Sequence, residues 1–239
     1  MARSLSTDAS WIKVAEQSSA GMWQDYEFGV PGKYSVYNND FHQYVSADWT
    51  VTETDAAATQ ALASVAPCVG GVLLITDTNA DNDAVSMQLL GHAFVPTAGT
   101  KLYFEARFQA SEATSIDILF GLVATDTTPL ANANGIYFIK PDDGASLDFV
   151  TNSSSVSSTE TSTATFVANT YFKVGFKVTG TSLVEYYVND VKQGEFNTNI
   201  PTAPLRVTMH VQDGDTAAAL GALTASVDYV IVAQERPGY

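Results

Sequence analysis

TKLYFEARFQA (100–110), IDILFGLVAT (116–125), GIYFIK (135–140), SLDFV (146–150), YFKVGFKVTG (171–180), SLVEYYVND (182–190), PLRVTMHVQD (204–213) and TASVDYVIVAQE (224–235) follow one another with polar turns between them. Side chains alternate between the two faces of a strand. In the first of these segments Leu102, Phe104, Ala106 and Phe108 share one face, and Tyr103, Glu105 and Arg107 share the other. A chain built from such segments buries its apolar faces as two stacked sheets. The expectation is an all-β, two-sheet antiparallel jelly-roll sandwich.

Working outward, DWTVTET (48–54) alternates, GGVLLIT (70–76) is a continuous apolar run suited to a buried strand, and AVSMQLLGHAFVP (84–96) slips register at Gly91. ATQALASVAP (58–67) reads equally as strand or helical turn. The Ser/Thr-rich stretch 151–170 fits an exposed hairpin anchored by Val156 and Phe166, and Asn189-Asp190 is a tight-turn signal. Residues 1–45 differ. They hold Trp11, Trp23, Tyr26, Phe28, Tyr34 and Tyr37 without sustained periodicity. Disordered tails are poor in aromatics, so an ordered arm (1–45) followed by a sandwich domain (46–239) is expected. Either the arm wraps its own sandwich or it packs on a neighbouring chain, because these residue types are enriched at interfaces.

At 239 residues the chain can bury a core without staples, and its single cysteine, Cys68, cannot form an internal disulfide. A small buried apolar role is expected for Cys68. The net charge of −15 excludes non-specific nucleic-acid binding and disfavours anionic membranes. No apolar run approaches the 18 or so residues of a membrane span, and no basic-then-apolar leader opens the sequence.

KLYFEARF, IDILFGLV, GIYFIK, the hairpin YFKVGFKVTGTSLVEYYVND and the closing SVDYVIV together resemble the concanavalin A-like lectin/glucanase superfamily, over residues 48–235. The resemblance implies the sandwich fold. It also implies where catalysis would sit, since the laminarinase-type members carry Glu-x-Asp-x-(x)-Glu on one strand. Here the equivalent run is Ser115-Ile116-Asp117-Ile118-Leu119-Phe120-Gly121. Asp117 remains and neither glutamate is present, so two-carboxylate hydrolysis by that route is not available, and no enzymatic activity is expected.

Asp77, Asn79, Asp81 and Asp83 place oxygen ligands at alternate positions, as a calcium loop would. The sixth position is Asn82 and the twelfth Gln88, so a plain polar hairpin loop is the competing reading. His42, His92 and His210 lack metal-ligand spacing. For a sugar, exposed aromatics near amides are needed, and Asn134, Tyr137, Tyr186 and Tyr187 are candidates, although alternation turns one of Tyr186 and Tyr187 inward.

An acidic, cysteine-poor sandwich with an aromatic arm also resembles the decoration (cement) proteins of tailed-bacteriophage capsids. That resemblance implies a structural virion protein, made in the host cytoplasm and seated on the outer capsid surface. It would bind the major capsid protein and copies of itself as a dimer or trimer, gripping through the arm residues above. The alternative is a carbohydrate-binding, lectin-like module, including one that binds host-surface glycans from a virion.

Overall fold

The computed structural model describes residues 21–27, 32–64, 67–78, 80–214 and 222–238. Fifteen strands are found among them: β1 (Tyr34–Asn39), β2 (Trp49–Glu53), β3 (Thr59–Ala63), β4 (Val72–Thr76), β5 (Ala84–Leu89), β6 (Lys101–Ala110), β7 (Ile116–Val123), β8 (Gly135–Lys140), β9 (Ser146–Ser153), β10 (Val156–Thr165), β11 (Phe172–Thr179), β12 (Leu183–Val188), β13 (Val191–Phe196), β14 (Arg206–Asp213) and β15 (Thr224–Glu235). They form two antiparallel sheets. The eight-stranded sheet runs β13-β12-β11-β6-β15-β4-β3, with β1 also paired to β15; the seven-stranded sheet runs β10-β9-β8-β7-β14-β5-β2. This is the expected jelly-roll sandwich.

The predicted alternation holds in the core. Leu102, Phe104, Ala106 and Phe108 of β6 face inward against Ile116, Ile118, Phe120 and Leu122 of β7. The aromatic rings bridge the sheets: Phe108 stacks on Phe120 at 4.0 Å, and Phe149 stacks on Tyr186 at 4.3 Å. The ambiguous segment at 58–67 supplies β3, because its Gln60 and Leu62 pair with β4. The Asn189-Asp190 turn has φ of 49° and 67°, the left-handed pair that a two-residue hairpin requires. The Ser/Thr-rich stretch forms the β9–β10 hairpin. Phe166 anchors its end in the core, whereas Val156 is exposed.

The stretch expected as an arm is divided. Tyr34–Asn39 is a sheet strand, so the sandwich reaches back ahead of residue 46, and residues 21–27 lie on the outer face of the eight-stranded sheet. β1 and β4 follow one another along the same edge of β15: β4 pairs with Thr224–Val227 and β1 with Val230–Glu235. At their junction the chain after β1 crosses the chain before β4. Gly71 N–H donates to the Asp40 carbonyl at 3.2 Å, and a Cβ on Gly71 would lie 1.6 Å from the Phe41 carbonyl oxygen. Only glycine allows that approach.

Gly71→Ala therefore forces backbone apart. It should cost more than about 2 kcal/mol, on the scale of severe overpacking, and lower Tm by more than about 4 °C for a domain of this size. An unchanged melting curve would refute the crossing.

Candidate functional site

β7 is the central strand of the seven-stranded sheet, and its outer face is where the resemblance places catalysis. Asp117 points to this face and is half-buried. Its Oδ1 accepts from Asp142 N–H at 2.9 Å. Burial raises its carboxyl above the usual range; the Asp142 amide bond opposes this, and the Asp142 and Asp143 charges add to it. Next on the same face, Leu119 joins Val123, Tyr137 and Val150 in an apolar cluster, covered further by Leu130 and Ile139. The centre of the face is thus filled with hydrocarbon, and β7 presents no pair of carboxylates. Lys140, fully buried, holds the start of β7: its Nζ donates to the Thr114, Ile116 and Pro141 carbonyls at 3.1, 2.7 and 2.7 Å. Burial pulls its ammonium down to about 8 against the pull of Asp117, so it is charged at neutral pH and all three of its hydrogens are used.

The other half of that face, on β14, β5 and β2, is polar. Gln88 is buried, donates to Thr208 Oγ1 at 3.0 Å and accepts from Asp126 N–H at 2.9 Å, tying down the loop after β7. Beside it a small groove of about 150 Å3 runs between Thr52, Ser86, His210 and Gln212 and the loop at Thr127–Ala131. Ser86 Oγ lies 2.6 Å from His210 Nδ1, His210 Nε2 lies 3.3 Å from Gln212 Oε1, and Gln212 Nε2 donates to Asn82 Oδ1 at 2.9 Å. Burial pulls the imidazole down to about 4, so it is neutral at pH 7. The hydrogen-bond directions then assign one chain, in which Ser86 donates to Nδ1 and Nε2–H donates to Gln212.

A concavity lies at one end of the sandwich, where β1 ends and β2 begins. Its volume is about 520 Å3, and it is lined by Tyr37, Asn38, Asn39, Asp40, His42, Gln43, Val45, Asp48 and Trp49. That volume falls in the range of small-molecule sites. Tyr37 meets the buried Trp49 edge-on, with ring centroids 6.4 Å apart. Asn39 Nδ2 donates to the Tyr37 hydroxyl at 3.1 Å. Burial raises the Tyr37 phenol, the Asn39 bond opposes this, and the Asp48 charge adds to it. His42 Nε2 lies 2.9 Å from Asp40 Oδ2. Asp48 ends a short 3-10 turn (Ser46–Asp48), and its carbonyl accepts from Leu90 N–H at 2.8 Å. The pocket therefore joins two aromatic rings to three amides and two carboxylates, with most of the polar groups facing solvent.

The sequence candidates fall elsewhere. Tyr186 is in the core, Tyr137 in the apolar cluster on β7's outer face, and Tyr187 beneath Met22 on the opposite outer face. All three are buried, and Asn134 is spent on turns, its side chain accepting from Ser154 N–H at 3.0 Å. They do not form one platform. Of the residues considered for a calcium loop, those described are engaged separately. Asp77 is only 2 % exposed and turns inward, its Oδ1 accepting from Leu223 N–H at 2.7 Å. Asp83 accepts from Thr78, and Asp81 accepts from the neighbouring Asn82 at 2.8 Å. Among the described residues no three His, Cys, Asp or Glu side chains converge as metal ligands; Asn79 lies outside them, as do Trp11 and Phe28 of the arm. Cys68, expected buried, is half-exposed at a loop, with Arg107 Nη1 3.6 Å from its sulfur. The Tyr37–Trp49 pocket was not read from sequence. YSVYNND looked like arm and DWTVTET like an ordinary strand, and nothing local says that their ends meet.

No family model matches the sequence, and no curated protein matches it. Solved structures do match the fold. An endo-1,3-beta-glucanase from Streptomyces sioyaensis superposes with a TM-score of 0.62 at 15 % identity, covering 87 % of this chain and 99 % of that one. The beta-glucanase of Bacillus licheniformis gives 0.61 at 13 %, over 82 % and 97 %. The Emp47p carbohydrate recognition domain gives 0.56 at 15 %, over 85 % and 97 %. At these identities the likeness establishes a concanavalin A-like jelly-roll fold.

Asp77 yields a pH prediction. Burial, with Asp213 and Asp83 adding repulsion against the Leu223 bond, pushes its carboxyl from 3.8 up to about 7. The folded state then holds a proton that the unfolded state releases, so this residue costs stability progressively from pH 4 to 7 and fully above pH 7. Asp77→Asn should raise stability at pH 8 by on the order of 1–2 kcal/mol, allowing for altered hydrogen bonding, with little effect at pH 4. Chemical denaturation at the two pH values checks this, and a loss of stability at pH 8 would refute it.

Proposed function

We propose that this protein is a non-enzymatic saccharide-binding sandwich that takes its ligand in the Tyr37–Trp49 pocket. One observation carries the reading: a concavity of about 520 Å3 is lined by the half-buried Tyr37 together with Asn38, Asn39, Gln43, Asp40 and Asp48. Sugars present apolar C–H faces edged by hydroxyls, and a site of this composition matches both. The Tyr37 ring covers the C–H face, while planar amides donate to and accept from neighbouring hydroxyls and carboxylates accept from them. The apolar filling around Leu119 supports binding without hydrolysis. With two carboxylates at the pocket and a net charge of −15, uncharged sugars are favoured over anionic ones.

Calorimetric titration with neutral oligosaccharides from laminarin, mixed-linkage glucan and mannan should find a ligand. Tyr37→Ala and Asp48→Asn should each weaken it about tenfold, one strong polar or ring contact being worth about 1.4 kcal/mol, and no reducing sugar should be released. Failure of the whole panel to bind, or binding that both substitutions leave intact, would overturn the assignment.

As a second reading we propose a decoration protein on the outer surface of a tailed-bacteriophage capsid, bound to the major capsid protein as a dimer or trimer. Residues 21–27 pack on their own sandwich, so the capsid contact would be made by other parts of the chain or by this segment after it leaves its face. A saccharide pocket is compatible with that location. Mass spectrometry and immunogold labelling of purified particles should then find the chain on their exterior; its absence from them would exclude the role.

A further inference from the structure

The outer face of the eight-stranded sheet is shaped to receive one short segment. Met22 sits over Gly175 of β11, where a Cβ would lie 2.8 Å from its sulfur. Trp23 stacks on Tyr103 of β6 at 5.2 Å and 13°, and its Nε1 donates to Glu105 Oε2 at 2.7 Å. Glu105 is itself buried, and its second oxygen accepts from the Tyr229 hydroxyl at 2.7 Å. Asp25 lies 3.3 Å from Lys101 and 3.4 Å from Lys177. The notch thus meets Met22, the ring and the buried acceptor meet Trp23, and the paired cations meet Asp25.

The segment adds no strand to the sheet. Its main-chain pairs, Gln24 N–H to Gly21 and Tyr26 N–H to Trp23, close its own turn. It can leave without breaking a ladder. What it uncovers, Tyr103 and Tyr187 beside a buried carboxylate, is unfavourable to leave open. Between the segment and β1 the sequence reads Phe28-Gly29-Val30-Pro31-Gly32-Lys33, and a short connection favours exchange of an element between copies.

We propose that this face also receives residues 21–27 of a second copy, so that copies join by exchanging the segment. Each docked segment makes the same contacts in either arrangement, so the tether favours its own face in dilute solution and crowding of copies favours exchange. The high net negative charge opposes unspecific association, so joining of copies calls for a fitted contact of this kind.

The test uses the full chain. Equal amounts of 15N-labelled and unlabelled protein are mixed, incubated over a range of concentrations and coupled with a zero-length carbodiimide, which joins Asp25 to Lys101 or Lys177. Mass spectrometry then reads the isotope pairing of the linked peptides. Exchange predicts mixed-isotope pairs that rise with concentration toward the random ratio, together with a dimer by light scattering, and both should be lost in Trp23→Ala. Linked peptides of one isotope only, at every concentration, would overturn exchange while leaving the docking. Absence of the links, with lysine–carboxylate links elsewhere in the same sample as a control, would overturn the docking as well. Neither result bears on the saccharide pocket.

Discussion

The structure depends on the pairing of one strand, β15. One edge of its Thr224–Glu235 span is occupied by β6 over most of its length, and the other is shared end to end by β4 and β1. Because a ladder satisfies every main-chain donor and acceptor it touches, this sharing fixes three remote parts of the chain at once. The first part of the sandwich is brought against the last, and residues 40–41 are pressed onto Gly70 and Gly71. Tyr37 is aimed at Trp49, which belongs to the other sheet. The end pocket lies where the chain leaves β1 and passes over to β2 of the other sheet.

The two outer faces show how a sandwich handles residues that alternation turns away from the core. On the eight-stranded sheet, Tyr103, Glu105 and Arg107 would face water, and each is instead matched. Trp23 covers the first two, and Asp228 pairs with Arg107, whose guanidinium also lies over Tyr171. On the seven-stranded sheet, the loops after β7 cover Leu119 and Tyr137, and Gln88 and Lys140 pin neighbouring loop segments by hydrogen bonds. A buried polar group is costly unless paired, and here the pairing is what attaches the coverings.

This division also explains what the sequence made legible. Period two in 100–235 was enough for strands, faces and the sandwich, because inward residues such as Phe104, Phe120 and Phe176 report directly on the core. The absence of the glutamate pair was legible too, as it depends on residue identity along one strand. The burial of Tyr137, Tyr187 and Lys140 was not, since each is buried by a segment distant in sequence. GIYFIK gives no sign that its lysine will meet three carbonyls. For the same reason the polar run at Asp77–Asp83 left a ligand loop open beside a plain polar hairpin, when Asp77 is in fact committed to Leu223, 146 residues away.

Phe41 shows how local strain and site formation are linked. Its φ is 45°, a conformation that a bulky side chain rarely adopts. The ring is fully buried in the core, and its main-chain N–H is held by Asn39 Oδ1 at 2.9 Å. Burial of a phenylalanine ring is worth about 2–3 kcal/mol, enough to offset a strained residue at about 1–3 kcal/mol. The strain reverses the chain immediately after β1. Tyr37, Asn38 and Asn39 before it and Gln43, Asp48 and Trp49 after it line the same pocket. The core thus stabilises, through one ring, the backbone geometry from which the proposed ligand site is built.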